Sequence, residues 1–283
     1  MALFNRLNPK DGSEMSFIDH LEVLRGTIVR SAAAILVMAL VIFIKRDWIM
    51  DNVITGPIQP DFITYRLFCE FSHWAHLGDA LCMPAVKVTM QSTTFGGQFL
   101  SSISMAIVGG IITAFPFIFY QFWSFIKPAL KENELRNTRF MIFWVSFFFF
   151  LGAAFGFFIL GPFTFNFLAS FQLGTKNVIT TMPTFADYLD NLTNLLLGCG
   201  IAFELPVLTF LLTKIGMVTP KFLSGARKYA AVVILIVAAF ITPSPDWYSQ
   251  LLVFIPLYSL FELSIVVSRW AYKSVQKAEA EWE

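Results

Sequence analysis

The sequence predicts an all-α integral membrane protein, and composition, hydropathy and aromatic content all support this fold class. Of the 283 residues, 57% are hydrophobic and only 14% are charged, whereas soluble domains carry roughly 25% charged residues. Mean hydropathy is +0.67, and 33 phenylalanines are more than one soluble core requires. Such a chain suits lipid as its solvent, where helices satisfy their own backbone hydrogen bonds. The net charge of +1 offers no electrostatic argument for nucleic-acid binding.

Six hydrophobic segments predict six transmembrane helices within a single domain that covers residues 1–283. The segments are Thr27–Ile44, Phe99–Ile126, Phe140–Phe163, Leu192–Leu212, Tyr229–Ile241 and Leu251–Val267. The second and third can cross about 30 Å of hydrocarbon with some tilt. At 1.5 Å per residue the fifth reaches only about 20 Å, and so short a run is also typical of a buried core helix or a re-entrant segment. Basic residues before it and the turn Thr242–Asp246 after it favour a hairpin of two short helices.

The basic residues predict that both termini are cytoplasmic. In that orientation, 15 of the 20 lysines and arginines lie in cytoplasmic segments, as the positive-inside rule requires. Residues 1–26 then form a cytoplasmic segment, residues 45–97 a long extracytoplasmic loop and residues 269–283 a cytoplasmic tail. Met1 to Met15 lack the apolar core of a signal peptide, so we expect the first span to be retained.

Two cysteines in the extracytoplasmic loop predict a disulfide. Cys69 and Cys82 lie in a compartment where thiols are oxidised, and their bond would close a small loop. A metal site built from the same cysteines with His73 and His76 is the alternative, although the spacing matches no strong zinc pattern. Cys199 lies within a span and is typical of a packing residue.

Two glutamates lie within the apolar segments. Glu204 sits next to Leu205-Pro206 in the fourth segment. A carboxylate at the centre of a membrane costs on the order of 3 kcal/mol, so we expect it to be protonated, paired or in contact with water. It is either a functional group or a hydrogen-bonding group that joins two helices. Glu262 in the sixth segment lies closer to a cytoplasmic end, from which it can reach the interface.

The segment Ser16–Arg25 predicts an amphipathic interfacial helix that leads into the first span. Ser16 followed three residues later by Asp19 is a helix-start signal. Taken alone, this segment is a membrane-surface anchor. Near the end of the second span, Tyr120 and Trp123 are typical of an interfacial aromatic belt.

The sequence predicts neither an enzyme nor a cofactor-binding protein. His20, His73 and His76 lie outside the six segments, which excludes a bis-histidine haem site within the bundle. No Ser–His pair or H-E-x-x-H motif lies in a span, and the sequence contains no P-loop.

Four stretches of the sequence, in order and on the expected spans, carry a family resemblance. They are the run His20–Arg25 (HLEVLR), the run Phe115–Glu134 that ends the second span, the run Gly200–Pro206 (GIAFELP), and Thr242-Pro243 with Asp246, Ser249 and Gln250 followed by Phe261-Glu262 and Ser268-Arg269. Together they resemble the TatC family, the multi-spanning subunit of the twin-arginine (Sec-independent) protein translocase. The resemblance covers nearly the whole chain.

The resemblance implies a six-helix, glove-shaped receptor in the bacterial inner membrane. Such a receptor binds twin-arginine signal peptides of folded precursors, assembles with TatA-type and TatB-type single-span subunits, contacts membrane lipid and copies of itself, and uses the proton-motive force. Guanidinium pairs require carboxylates. The implied binding residues are Glu134 first, then Glu22, Glu132, Arg25 and Pro128. Glu204, Glu262 and Gln250 are the implied polar residues within the membrane, where short fifth and sixth helices would thin the bilayer.

The sequence also departs from the family pattern. Val23 stands where the family has a glutamate, and Glu22 lies one position earlier, which is about 100° around a helix. Leu135 replaces a residue that is often basic, and the 45–97 region with its cysteine pair is longer than usual.

Two other classes of function are alternatives. The first is a proton-coupled small-solute transporter that uses Glu204 and Glu262, although the chain shows no second broken helix to build a midplane site. The second is a membrane-bound enzyme or electron-transfer subunit, which the absence of suitably placed histidines and nucleophiles disfavours.

Overall fold

The computed structural model describes residues 17–74, 76, 78, 82, 89–126, 138–171, 182–242 and 247–280, and within these ranges the fold is all-helical. The α-helices are α1 (Phe17–Ile44), α2 (Arg46–Ile49), α3 (Ile63–Trp74), α4 (Gly97–Ile126), α5 (Thr138–Phe155), α6 (Gly161–Ser170), α7 (Phe185–Ala202), α8 (Leu205–Lys214), α9 (Pro220–Gly225), α10 (Arg227–Ile241) and α11 (Trp247–Ala280). A π-helical turn, Gly156–Leu160, joins α5 to α6 without a break.

Five helical stretches in the described ranges are long and apolar enough to cross a membrane. They are Leu21–Ile44, Gly97–Phe125, Met141–Ser170, Phe185–Lys214 and Gln250–Ser274. The prediction of an all-α protein with multiple spans is therefore confirmed. The predicted fifth segment is the helix α10, whose 15 residues extend about 22 Å, so a count of six spans remains a prediction.

Helix α7 forms the centre of the bundle. Its buried residues Leu192, Leu195 and Cys199 belong to one core cluster with residues of α6, α10 and α11. Lipid tails are as apolar as leucine, so burial by itself contributes little to association between membrane helices. Close van der Waals packing and interhelical hydrogen bonds stabilise it instead.

Glycines bring α5 and α7 into backbone contact. A Cβ atom at Gly152 would collide with the carbonyl oxygen of Cys199, and one at Gly156 would lie 2.6 Å from that of Leu195. From the opposite side, a Cβ at Gly200 would lie 2.8 Å from the Phe149 ring. Small residues four apart at a helix crossing permit this close approach.

Helices α1 and α4 form an antiparallel pair. The Phe43 and Phe99 rings meet at one end, with centroids 6.4 Å apart. Further along, a Cβ at Gly110 would lie 2.9 Å from the Ala39 nitrogen. The N-terminal end of α1 therefore lies at the level of the C-terminal end of α4.

The first part of the predicted extracytoplasmic loop is a folded helical cap. The Tyr65 hydroxyl lies 2.9 Å from the Pro57 carbonyl oxygen and 3.1 Å from that of Pro162, and its burial raises the pKa of Tyr65 to about 12. The Thr64 hydroxyl donates to the Phe158 carbonyl, which lacks its usual donor because Pro162 has no N–H. The segment 45–74 is thus fastened to the π-helical end of α5.

Candidate functional site

The N-terminal end of α1 presents two charged side chains to the surroundings. Glu22 and Arg25 are both exposed, whereas Val23 is half-buried. Residues three apart are neighbours on a helix surface, so Glu22 and Arg25 share one side. The position at which the family carries a glutamate therefore points towards the protein here, while Glu22 stays accessible.

These two residues lie at the same end of the bundle as Ile126, the last residue of α4. The antiparallel α1–α4 pair sets this placement, because α4 ends at Ile126. Glu132, Glu134 and Pro128 fall in the segment after Ile126, which lies outside the described residues.

The end of α4 carries a residue whose environment the sequence did not predict correctly. Tyr120 is exposed, as a belt residue would be, but Trp123 is only 4% exposed. Its indole Nε1 has no hydrogen-bond partner in the described ranges, and an unmet buried donor costs about 1–3 kcal/mol. The aromatic-belt prediction is wrong for Trp123, because the packing of α4 against its neighbours buries this face.

Glu204 occupies a break between α7 and α8. The helix is interrupted at Phe203 and Glu204, because Pro206 cannot donate to the carbonyl four residues earlier. The half-buried carboxyl group lies against the backbone of Phe149 on α5, and its Oε1 lacks a partner among the described atoms. Such a group can accept a proton or bind water.

Glu262 is paired with an arginine. Its carboxylate forms a two-pronged ion pair with Arg227 at the start of α10, with Nε–Oε1 at 2.8 Å and Nη2–Oε2 at 2.9 Å. The two side chains are 38% and 46% exposed, respectively. Glu262 thus joins α11 to α10, so its carboxylate is already engaged and less suited to bind a transported solute.

Gln250 makes a second tie between the same two helices. Its Nε2 donates to the Leu235 carbonyl oxygen at 3.1 Å. Glu262 and Gln250 are therefore both interhelical contacts, on opposite halves of α10.

Cys69 and Cys82 are joined by a disulfide that closes the turn after α3. The ring nitrogens of His73 bring a third candidate metal ligand within 4.8 Å of the two sulfurs. Metals bind thiolates, so the disulfide withdraws both sulfurs from the alternative metal site. Cys199 is fully buried in the α5–α7 crossing, where it packs.

Comparison with known proteins identifies the family. The family model of the Sec-independent protein translocase protein (TatC) matches residues 19–256 of this chain.

The chain belongs to the TatC family.

Two TatC proteins illustrate the relationship. The one from Blattabacterium sp. subsp. Periplaneta americana (strain BPLAN) is 35% identical over 264 residues, which are 92% of this chain and 97% of that protein. The one from Halalkalibacterium halodurans is 36% identical over 267 residues, which are 94% of each chain. The resemblance to the TatC family is thereby confirmed.

Solved structures agree. A crystal structure of the twin arginine translocase receptor TatC matches 89% of this chain and 99% of that one, at 30% identity and a TM-score of 0.63. A second, determined in DDM, matches 88% and 99%, at 29% identity and a TM-score of 0.68. The range matched by the TatC family model includes Glu22, Arg25 and Glu204, but ends before Glu262.

Proposed function

We propose that this chain is the signal-peptide receptor and multi-spanning core of a twin-arginine protein translocase in a bacterial inner membrane. Its membership of the TatC family over residues 19–256 is the observation that carries the proposal. The likeness to crystal structures of a twin arginine translocase receptor supports it. The role is one of binding and transport, without catalysis or a cofactor.

The receptor site lies at the cytoplasmic surface. Glu134 is the principal carboxylate for the paired arginines, and Glu132 and Pro128 contribute to the same site. The exposed placement of Glu22 and Arg25 at the level of the C-terminal end of α4 supports their inclusion in the site. A guanidinium binds a carboxylate through two parallel hydrogen bonds, which lysine cannot reproduce.

The whole chain has both termini in the cytoplasm and six membrane helices around a concave face. The short helix α10 is the fifth of these, paired with α11 through its two polar ties. Glu204 contributes to this concave face, and its Oε1, which has no hydrogen-bond partner among the described residues, binds water there. TatA-type and TatB-type single-span subunits assemble with this scaffold, and the proton-motive force drives transfer of folded precursors.

Photo-crosslinking tests the receptor role. A photoreactive residue replaces Glu132 in native membranes, which leaves Glu134 intact, and precursors carry either paired arginines or paired lysines. We expect preferential capture of the arginine form. Equal or absent capture by the folded protein would refute the receptor site and favour the solute-transporter alternative.

A further inference from the structure

Three helix ends meet beside one segment of α11. The Lys214 Nζ at the end of α8 donates to the Ser274 hydroxyl at 2.6 Å, and the neighbouring Thr213 hydroxyl lies 2.8 Å from that of Ser268, six residues earlier on α11. The start of α10 is held there by the ion pair of Arg227, and α9 also contacts α11. Residues 214–229 and 262–274 therefore form one continuous end of the bundle.

This end carries a cluster of exposed basic residues, which we call the basic collar. Its members are Lys221 of α9, Lys228 of α10, and Arg269 and Lys273 of α11. Between residues 205 and 274, the described carboxylate is that of Glu262, and Arg227 already neutralises it. The collar thus presents four positive charges with no acidic neighbour among the described side chains of these helices.

An exposed aromatic residue is next in sequence to each collar cation. Phe222, Tyr229 and Trp270 directly follow Lys221, Lys228 and Arg269 and are 67%, 75% and 71% exposed, and Tyr272 directly precedes Lys273. Aromatic rings of this kind settle at the level of lipid headgroups. Their occurrence next in sequence to cations on three separate helices indicates a surface adapted to the membrane interface.

The collar is continuous with the apolar outer face of the bundle. Along α10, Lys228 is followed at intervals of four residues by exposed Val232 and Ile236. On α11, Arg269 and Lys273 share one face, and the buried Ser268 and Ala271 lie on other faces. A cation at the top of an apolar, exposed stripe contacts headgroups while the stripe contacts acyl chains.

We propose that the basic collar is a binding site for anionic phospholipid headgroups. The four cations bind the lipid phosphate groups, and the neighbouring aromatic rings lie at the boundary between the headgroups and the acyl chains. Basic residues at this depth attract anionic lipids, with roughly a fivefold change in binding for each cation. The lipid annulus then stabilises the junction of α8, α10 and α11, and this proposal does not depend on signal-peptide recognition.

Native mass spectrometry of the purified full chain tests the proposal. The protein is released from micelles that contain equal amounts of phosphatidylglycerol and phosphatidylcholine, and the retained lipids are counted. We expect a phosphatidylglycerol preference that falls about tenfold or more when Lys221→Gln, Lys228→Gln, Arg269→Gln and Lys273→Gln are combined. Added salt weakens the preference, because it screens exposed charges.

A matched control removes two cations from the opposite end of the bundle. Lys45→Gln with Arg66→Gln leaves the collar intact and preserves the preference. If the quadruple variant is not monodisperse, the pair Lys221→Gln/Lys228→Gln and the pair Arg269→Gln/Lys273→Gln each lose part of the preference. Equal retention of both lipids by the unaltered chain, or an undiminished preference in the collar variants, would overturn the proposal.

Discussion

The α5–α7 crossing and the α10–α11 pair are stabilised in different ways. Long helices meet at the first, where Gly152 and Gly156 let backbones touch. At the second, a 15-residue helix is tied by the Arg227–Glu262 ion pair and the Gln250 amide. A short helix buries little surface against its neighbours, so individual polar contacts make a larger share of its attachment. The α5–α7 contact depends instead on close backbone packing, which an added side-chain atom at Gly152 or Gly156 would disrupt.

The largest effect is expected at the glycine crossing. Gly152→Ala places a methyl group against the Cys199 carbonyl, and such overpacking costs about 1–3 kcal/mol. The midpoint of denaturant-induced unfolding in detergent measures the loss. Gly225→Ala is the matched control, because nothing lies within 4 Å of its added methyl, and we expect it to be neutral or slightly stabilising. Equal midpoints for the two variants would contradict close packing at α5–α7.

A smaller and asymmetric effect is expected at the ion pair. Arg227→Gln leaves the Glu262 carboxylate unpaired within an apolar helix, whereas Glu262→Gln leaves Arg227 at a helix end that reaches water. The arginine variant should therefore unfold at a lower temperature than the glutamate variant. The double variant should resemble Glu262→Gln, since removal of both charges leaves neither stranded. Unfolding temperatures equal to that of the unaltered chain in both single variants would mean that the pair contributes nothing to the α10–α11 contact, and the opposite order would contradict the partial burial of Glu262.

The smallest effect is expected at the amide tie. Gln250→Leu removes one hydrogen bond to the Leu235 carbonyl, and interhelical hydrogen bonds in membranes average about 0.6 kcal/mol. Hydrogen exchange of the α10 backbone amides should rise in this variant while that of α7 stays unchanged. An equal rise in the exchange rates of both helices would show that α10 and α7 open together. The α10–α11 pair and the α5–α7 crossing would then not differ in local stability.

Long apolar runs make the membrane-spanning helices predictable from the sequence, but they do not predict the contacts between these helices. Apolar runs identify membrane helices because lipid leaves few alternatives, and Glu204 was conspicuous as a charge in such a run. The spacing Gly152-x-x-x-Gly156 was present as a signal and was missed. No local sequence pattern predicts that Glu262 pairs with Arg227, 35 residues away. The burial of Trp123 is equally unpredictable, because both features depend on how the helices pack against one another.

The folded cap was also harder to predict than the bundle. The Thr64 and Tyr65 hydroxyls donate hydrogen bonds to carbonyls of residues nearly 100 positions later. Sequence periodicity reports only local structure, so it cannot predict such distant partners. The predicted disulfide, by contrast, needed only two cysteines in one loop. Local chemistry was therefore more predictable than long-range hydrogen bonding.

The most direct test of the account is the affinity of the purified chain for a synthetic signal peptide with paired arginines or paired lysines. We expect tighter binding of the arginine peptide, reduced by roughly 10- to 150-fold in Glu134→Gln because a charge-assisted hydrogen bond is worth about 1.5–3 kcal/mol. Glu70→Gln, which alters an exposed carboxylate on α3, should leave the preference unchanged. Equal affinity for both peptides, or a preference that Glu134→Gln leaves intact, would contradict recognition of the twin arginines at Glu134.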